Sequence, residues 1–470
     1  MQWKPLGINE EPDVSNLPPF DYAMFLFNTA KFYLGAVFYL IDEKLFMKNL
    51  HEFYDDPAAK ASSSRLWYAQ YLLILAFGKA FVVSQSSSHT GPAGVQYATR
   101  AMSLLPDLSG LEPDTISSIQ ALALAAVYFQ CLDMRLAAFQ HIGQALRISI
   151  VEGIYRHMPE EVVGVEHSRR CNIVFWVVYT LDREFSALMG APSSIRDEDI
   201  TVKLPSQMDN SLDALNMTLH VRLSRLMARI LTRFGEQSFE DGLEAHPLVP
   251  PRKSTPYPGS KTFSLDVQCV VLTTRPLVMC ALHIHIEHSD LRATQTVSLT
   301  PPVASLLQSC VDSAQTVLRT LRVLGDEDLL EAFLPFQLED AFSSAFLLYL
   351  VRVIDPSLLH DDTWCENIKC VLDKMISKGS LVAPLRKLEL SQLENIMTAF
   401  TPAPEQPPTP SPSTAHPQHH DHGSFLDQMD HEEPGWDIFD TSGMGGLSPQ
   451  ALLDLAERLD VEDLMQSEVS

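Results

Sequence analysis

Clustered positive charge is the first thing this 470-residue chain lacks. Lysine and arginine number 34 against 59 acids, a formal net charge of −25, and the pI is near 4.9. A phosphate backbone has to be met by clustered cations. The clusters here are pairs, Arg169-Arg170, Arg252-Lys253 and Arg386-Lys387, so direct duplex DNA binding by this chain alone is not expected. Long apolar runs are missing too, which argues against a membrane-spanning helix. The opening MQWKPLGINEEPD has neither the basic nor the apolar part of a secretory signal. The seven cysteines, Cys131, Cys171, Cys269, Cys280, Cys310, Cys365 and Cys370, are scattered and odd in number. That is the usage of buried free thiols in a reducing compartment, so the chain is expected to work inside a cell. No Gly-rich phosphate loop, Gly-x-Ser-x-Gly or His-Glu-x-x-His is found.

What is present is helical pattern. The length suits two or three ordinary domains or one large helical one. The most informative stretch runs from Asp114 to Pro205. Asp114 and Thr115 are good N-caps for ISSIQALALAAVYFQ, which is apolar on nearly every face. A helix of that kind is buried at the centre of a core. A second helix follows Asp133, sets Ala138, Ile142 and Ala145 at helical spacing, and stops near Gly153. A third begins about Glu166, with Ile173, Trp176, Val177, Thr180 and Leu181 on one face, and ends at Gly190 and Pro192. SIRDEDITVKLP closes the stretch.

In order and spacing, IQALALAAVYFQ, AAFQHIGQALRISIVEGIYRH and EHSRRCNIVFWVVYTLDREFSALMGAPSSIRDEDITVKLP resemble the signature run of the fungal-specific transcription factor domain. That domain is the long helical regulatory region following the binuclear zinc cluster of fungal activators. The resemblance spans roughly residues 19 to 400, including Arg275-Pro276 inside an apolar run and a closing helix at LRKLELSQLENI. It implies an all-α fold, a large multi-helix domain of stacked helix pairs. One departure is Gly190-Ala191-Pro192, where the family usually has Gly-Arg-Pro, so no role of that arginine carries over. A binuclear cluster needs six thiolates in two close triplets, and the closest pair here is Cys365 and Cys370. The DNA-reading module is therefore absent from this chain. No catalytic, cofactor, metal or DNA-binding residue is assigned, and zinc would enter only with an upstream zinc-cluster segment. The resemblance implies a transcriptional regulator of a fungal nucleus. It would act through a DNA-bound partner, or as a homo- or heterodimer with a zinc-cluster protein.

Several side chains are candidates for more than packing. Asp182 and Arg183 fall mid-helix beside Trp176 and Tyr179. They read either as a buried ion pair joining helices or, with Arg275, as a regulatory core or pocket for a small molecule or partner. Phe25, Thr29, Phe32 and Ala36 have helical spacing and read as a core stripe. Of His283, His285 and His288, the first two point about 200° apart on a helix, so a solvated helix end is expected. Asp55-Asp56 and Asp361-Asp362 invite comparison with the Mg²⁺-binding carboxylates of helical isoprenoid cyclases. Neither has the further acid such a site needs, so both read as helix-start or loop acids. The rival classes are an all-α enzyme of that cyclase type and a helical scaffold with no role in transcription.

Residues 1–18 are expected to be irregular, and the proline-rich 246–261 a surface loop. From Thr401 the composition changes. Residues 401–423 are rich in Pro, Ser, Thr and His, a disordered linker. Residues 424–470 alternate acidic and apolar side chains. From 402 onward fourteen acids face the single Arg458, too charged and too poor in apolar surface to fold alone. Trp436, Ile438 and Phe439 stand among acids. Ser448 and Pro449 can start a short helix with Leu452, Leu455 and Leu459 on one face, and Leu453 and Leu464 nearby. This acidic tail is the candidate activation segment, offered to a coactivator or the general transcription machinery.

Overall fold

The computed structural model of the chain describes residues 2–7, 10–82, 92–105, 114–209, 211–236, 278, 301–359 and 361–398. Among them are fifteen α-helices and no strand. The expectations for 246–261, Arg275-Pro276, the histidines at 283–288, the linker and the acidic tail lie outside the described residues. Among the described residues no helix is long and apolar enough to cross a membrane.

The first core is built on α1 (Phe20–Leu34), α2 (Glu43–Asp55), α3 (Pro57–Ser63), α4 (Arg65–Val82) and α5 (Val95–Ser103). Every residue of α4 from Leu66 to Gly78 is buried. Helix α1 approaches it so closely at Gly78 that a Cβ there would lie 2.4 Å from the Leu26 carbonyl oxygen. Ala23, Leu26, Phe27, Ala30 and Leu34 form the buried face of α1. This corrects the aromatic stripe expected from the sequence. Phe25 is 50% and Phe32 76% exposed, because α1 is apolar on two faces and the one with the small residues won the close contact.

α6 (Thr115–Cys131) is the centre. Asp114 caps it, accepting from the Ser117 N–H at 3.0 Å, and all side chains from Ile116 to Cys131 are buried. The turn to α7 (Arg135–Val151) passes through Asp133 at φ +57°, a left-handed conformation that Asp tolerates better than most residues. α8 (Glu160–Val163) leads into α9 (Val165–Met189), and Gly190 closes α9 at φ +64°. There the Ala191 N–H donates back to the Ser186 carbonyl, a C-terminal closure that favours glycine. α9 is buried on more than one face. α6, α7, the 3₁₀ turn Gly35–Leu40 and α11 (Leu212–Glu236) pack on it from different sides. Phe175, Val178 and Tyr179 are thus as buried as Trp176, while Ile173 and Thr180 are only partly covered. The short α10 (Pro205–Met208) precedes α11.

A second core is formed by α12 (Pro301–Asp326), α13 (Pro335–Ile354), α14 (Thr363–Ser377) and α15 (Ala383–Thr398), with Trp364, Leu348 and Met375 near its middle. The acid pairs weighed as metal ligands start helices. Asp56 caps α3 by accepting from Ala59 N–H, and Asp361 accepts from Thr363 N–H just before α14.

The described residues before Phe20 contain no helix, yet they are pinned. The Trp3 ring lies 5.6 Å from that of Phe129. Arg65 donates to the carbonyls of Gly7 and Glu10, and Arg100 to those of Asp13 and Ser15. Tyr68 and Tyr54 donate to the carbonyls of Asp13 and Pro18. The segment is a strap laid across α4 and α5.

Candidate regulatory core

The side chains singled out on α9 meet the loop that follows it. Adjacent residues on a helix point about 100° apart, so Asp182 and Arg183 take different partners instead of forming the anticipated pair. Arg183 donates to Asp197 Oδ1 at 2.9 Å and to the Ile195 carbonyl at 2.6 Å. Asp182 accepts from Ser194 Oγ at 3.1 Å, and burial pushes its carboxyl above the usual range. Tyr179 donates to Asp197 Oδ1 at 2.6 Å, and its hydroxyl is held well above the ordinary phenol range, chiefly by burial. The Arg183 guanidinium also lies 4.8 Å from the Tyr179 ring centre. Trp176 is fully buried. Its indole N–H donates to the Lys203 carbonyl at 2.8 Å, and Asn172 donates to the same oxygen at 2.6 Å. Arg225 of α11 covers the Trp176 ring at 5.1 Å. The structure thus brings Trp176, Tyr179 and Arg183 together around one loop, with Asp182 holding a neighbouring point of it. Arg275 lies outside the described residues.

A second constellation, at the seam between the cores, was not found from the sequence. Arg386 of α15 donates to Asp133 Oδ1 at 2.7 Å, to Glu339 Oε1 at 3.3 Å and to both oxygens of Glu389. Arg135 donates to the same Asp133 and Glu339 oxygens at 2.9 and 2.7 Å. The side chains of Arg386 and Glu339 are only 5% and 7% exposed, and the guanidinium lies 5.1 Å from the Phe342 ring centre. Nearby, Phe333 packs edge-on against Phe81 and Phe77 and tilted against Tyr128. Between Cys131, Phe333, Leu338 and Leu381 remains a cavity of about 10 Å³, room for a single water.

Glu184, partly buried on α9, has its pKa pushed up to about 8 by burial and by the nearby charges of Asp340 and Glu339. A carboxyl whose folded pKa is raised contributes stability that is fully present below its unfolded value and lost as pH rises through the folded one. From about pH 4.5 to about 8 the wild type should therefore lose stability at this site. Glu184→Gln is expected to flatten that slope and to melt higher than wild type at pH 8. Thermal melts across this range with parallel curves would show that Glu184 is not the cause.

Among the described residues no group of three or more His, Cys, Asp or Glu side chains is placed to hold a metal ion. Residues 33–234, from the end of α1 into α11, match the fungal specific transcription factor domain. The match encloses α6, α7, α9 and the loop that Arg183 and Trp176 hold, whereas α12 to α15 lie beyond it. Among relatives of the domain, an uncharacterized transcriptional regulatory protein of Schizosaccharomyces pombe is 23% identical over 77% of this chain and 48% of its own length. The thiamine repressible genes regulatory protein of the same yeast is 23% identical over 65% of this chain and 41% of its own. An ABC-transporter-regulating transcription factor of Aspergillus fumigatus is 28% identical over 44% and 23%. The chain therefore spans half or less of the length of these curated relatives. No solved structure matches.

Proposed function

We propose that this chain is a transcriptional regulator of a fungal nucleus, an activator that reaches its genes through a DNA-bound or zinc-cluster-bearing partner. The observation that supports this most is the coincidence of the matched domain with the first core, together with relatives named as transcriptional regulatory proteins. In this reading Trp176, Tyr179, Asp182 and Arg183 hold the loop at residues 193–204 in one conformation. Each of the four has a hydrogen bond to that loop. The domain is the regulatory body, and residues 424–470 deliver the output.

The tail's acids repel one another and keep Trp436, Ile438, Phe439 and the leucines apart. A coactivator groove can take the apolar side chains while the acids steer association toward a basic rim. Fused to an unrelated DNA-binding domain, residues 424–470 should drive a reporter. Changing Trp436, Phe439, Leu452 and Leu455 to Ala should abolish the signal, and changing two or three acids should only reduce it. A silent fusion would make the tail a solubilising segment and nothing more.

A further inference from the structure

The loop that follows α9 is fastened at both ends, and the two fastenings differ. At its far end Trp176 and Asn172 hold the Lys203 carbonyl, a main-chain atom. At its near end the fastening is a serine hydroxyl. Ser194 is exposed, yet its Oγ donates to Asp182, which is 1% exposed. Its main-chain N–H serves the same carboxyl. Asp182 Oδ2 is buried without a hydrogen-bond partner, so the carboxyl leans on Ser194. The hydroxyls of Ser117, Ser357 and Thr363 also donate to acids, but to acids two or three residues away at helix starts. That of Ser194 ties a loop to a buried carboxyl 12 positions back.

Three residues beyond Ser194 begins the run Asp197, Glu198 and Asp199, the last two exposed. Acids on this side of a serine suit a protein kinase with a basic substrate groove, since kinases select substrates by charge pattern. Ser193 has Arg196 at the corresponding place and suits it less. We propose that Ser194 is a phosphorylation site for an acid-directed kinase, and that its phosphate unfastens the near end of the loop. In the transfer a P–O bond forms at Ser194 Oγ and the bond from the γ-phosphorus of ATP to its bridging oxygen breaks. ADP leaves, and the hydroxyl proton passes to the kinase's base. The product replaces a donor with an anion set against a buried carboxyl, a placement that disrupts through like-charge repulsion and desolvation. The arginines in reach do not offset this. Arg183 is engaged with the Ile195 carbonyl and Asp197, while Arg147 and Arg196 are exposed, where water and salt screen them. Asp197 is itself held by Tyr179, by Arg183 and, at 4.0 Å, by Arg225 of α11. The kinase therefore reads it while the loop is open, and the phosphate then keeps the loop from closing. With Asp197 withdrawn, α11 loses one of its ties to α9. What this means for regulation rests on the reading of the domain as the regulatory body, but the site itself does not.

The test treats the full chain with ATP and casein kinase II, an acid-directed serine/threonine kinase. Peptide mass mapping should find phosphate on Ser194, and phosphate only at other positions would overturn the proposal. The Asp199 and Ile200 N–H groups close the turn after Ser194. In the phosphorylated chain the amides of residues 195–200 should exchange about tenfold faster than in the unmodified chain, the mark of a local opening. Equal exchange would overturn the proposal, and so would slower exchange, which would mean that the arginines gather the phosphate and tighten the loop. Ser194→Glu and Ser194→Gln separate charge from shape at this exposed position. The first should speed exchange and the second should match Ser194→Ala; no difference between the two would also overturn it. In Asp182→Asn, whose amide can donate to the phosphate, phosphorylation should speed exchange by less than about threefold. The full effect there would mean that Asp182 is not what the phosphate opposes. Helical spectra and melting points confirm that each variant is folded. None of these readouts involves transcription, so a silent tail fusion leaves the site standing, and failure here leaves the domain's regulatory reading untouched.

Discussion

Trp176→Ala is expected to destabilise the protein by about 3–5 kcal/mol, the range for truncating a large buried aromatic. Three effects add. The side chain is fully buried, so its removal leaves a cavity that α7 and α11 cannot close without moving. The Lys203 carbonyl loses one of its two donors. Arg225 loses the ring it covers. Trp176→Phe should recover most of the packing but not the hydrogen bond, and so fall between the two. Urea denaturation of the three proteins measures this, and an alanine variant with an unchanged midpoint would mean the loop at residues 193–204 is held without the indole.

The second large effect is expected at Arg386. Its guanidinium serves Asp133, Glu339 and Glu389 at once from a nearly buried position. Arg386→Ala leaves the buried Glu339 carboxylate with Arg135 alone, and removing one partner of a buried charge network costs about 3–5 kcal/mol. Lysine keeps the charge but cannot fork across several carboxylates, so Arg386→Lys should recover only part of the loss. Because Arg386 and Asp133 belong to different cores, the alanine variant should speed amide hydrogen exchange in both α15 and the α6–α7 turn. Faster exchange in α15 alone would mean that the seam does not couple the two.

What could be read from the sequence was whatever depends on neighbours in the chain. A segment apolar on every side has to be central, which placed α6. Glycine at a helix end in the left-handed region is a local requirement, which placed the ends of α7 and α9 at Gly153 and Gly190. The choice between two apolar faces of α1 is not local. It depends on Gly78, some fifty residues away, admitting the backbone of Leu26. The seam is further still from any local signal. Arg386 and Asp133 are 253 positions apart, and an Arg-Lys pair looks like ordinary surface until the fold buries one of the two. The Arg183 partner was missed for a similar reason: the sequence neighbour Asp182 was the obvious candidate, and helix geometry rules it out.

The strap before α1 has a consequence for how such a sequence can change over time. Apart from contacts to the Asp13 carboxylate and the Tyr68 hydroxyl, Arg65 and Arg100 take hold of main-chain oxygens that every amino acid supplies. The grip itself therefore makes no demand on the side chains of the residues it holds; what demand there is comes from buried Pro12, from Val14 packed on the first core, and from the Glu10 and Asp13 carboxylates that accept from the Gly7 and Ser15 N–H groups. The two arginines and the hydroxyls of Tyr54 and Tyr68 have no such latitude. Among diverging copies of this protein the grip would persist as recognisable letters, and the exposed letters between would change first.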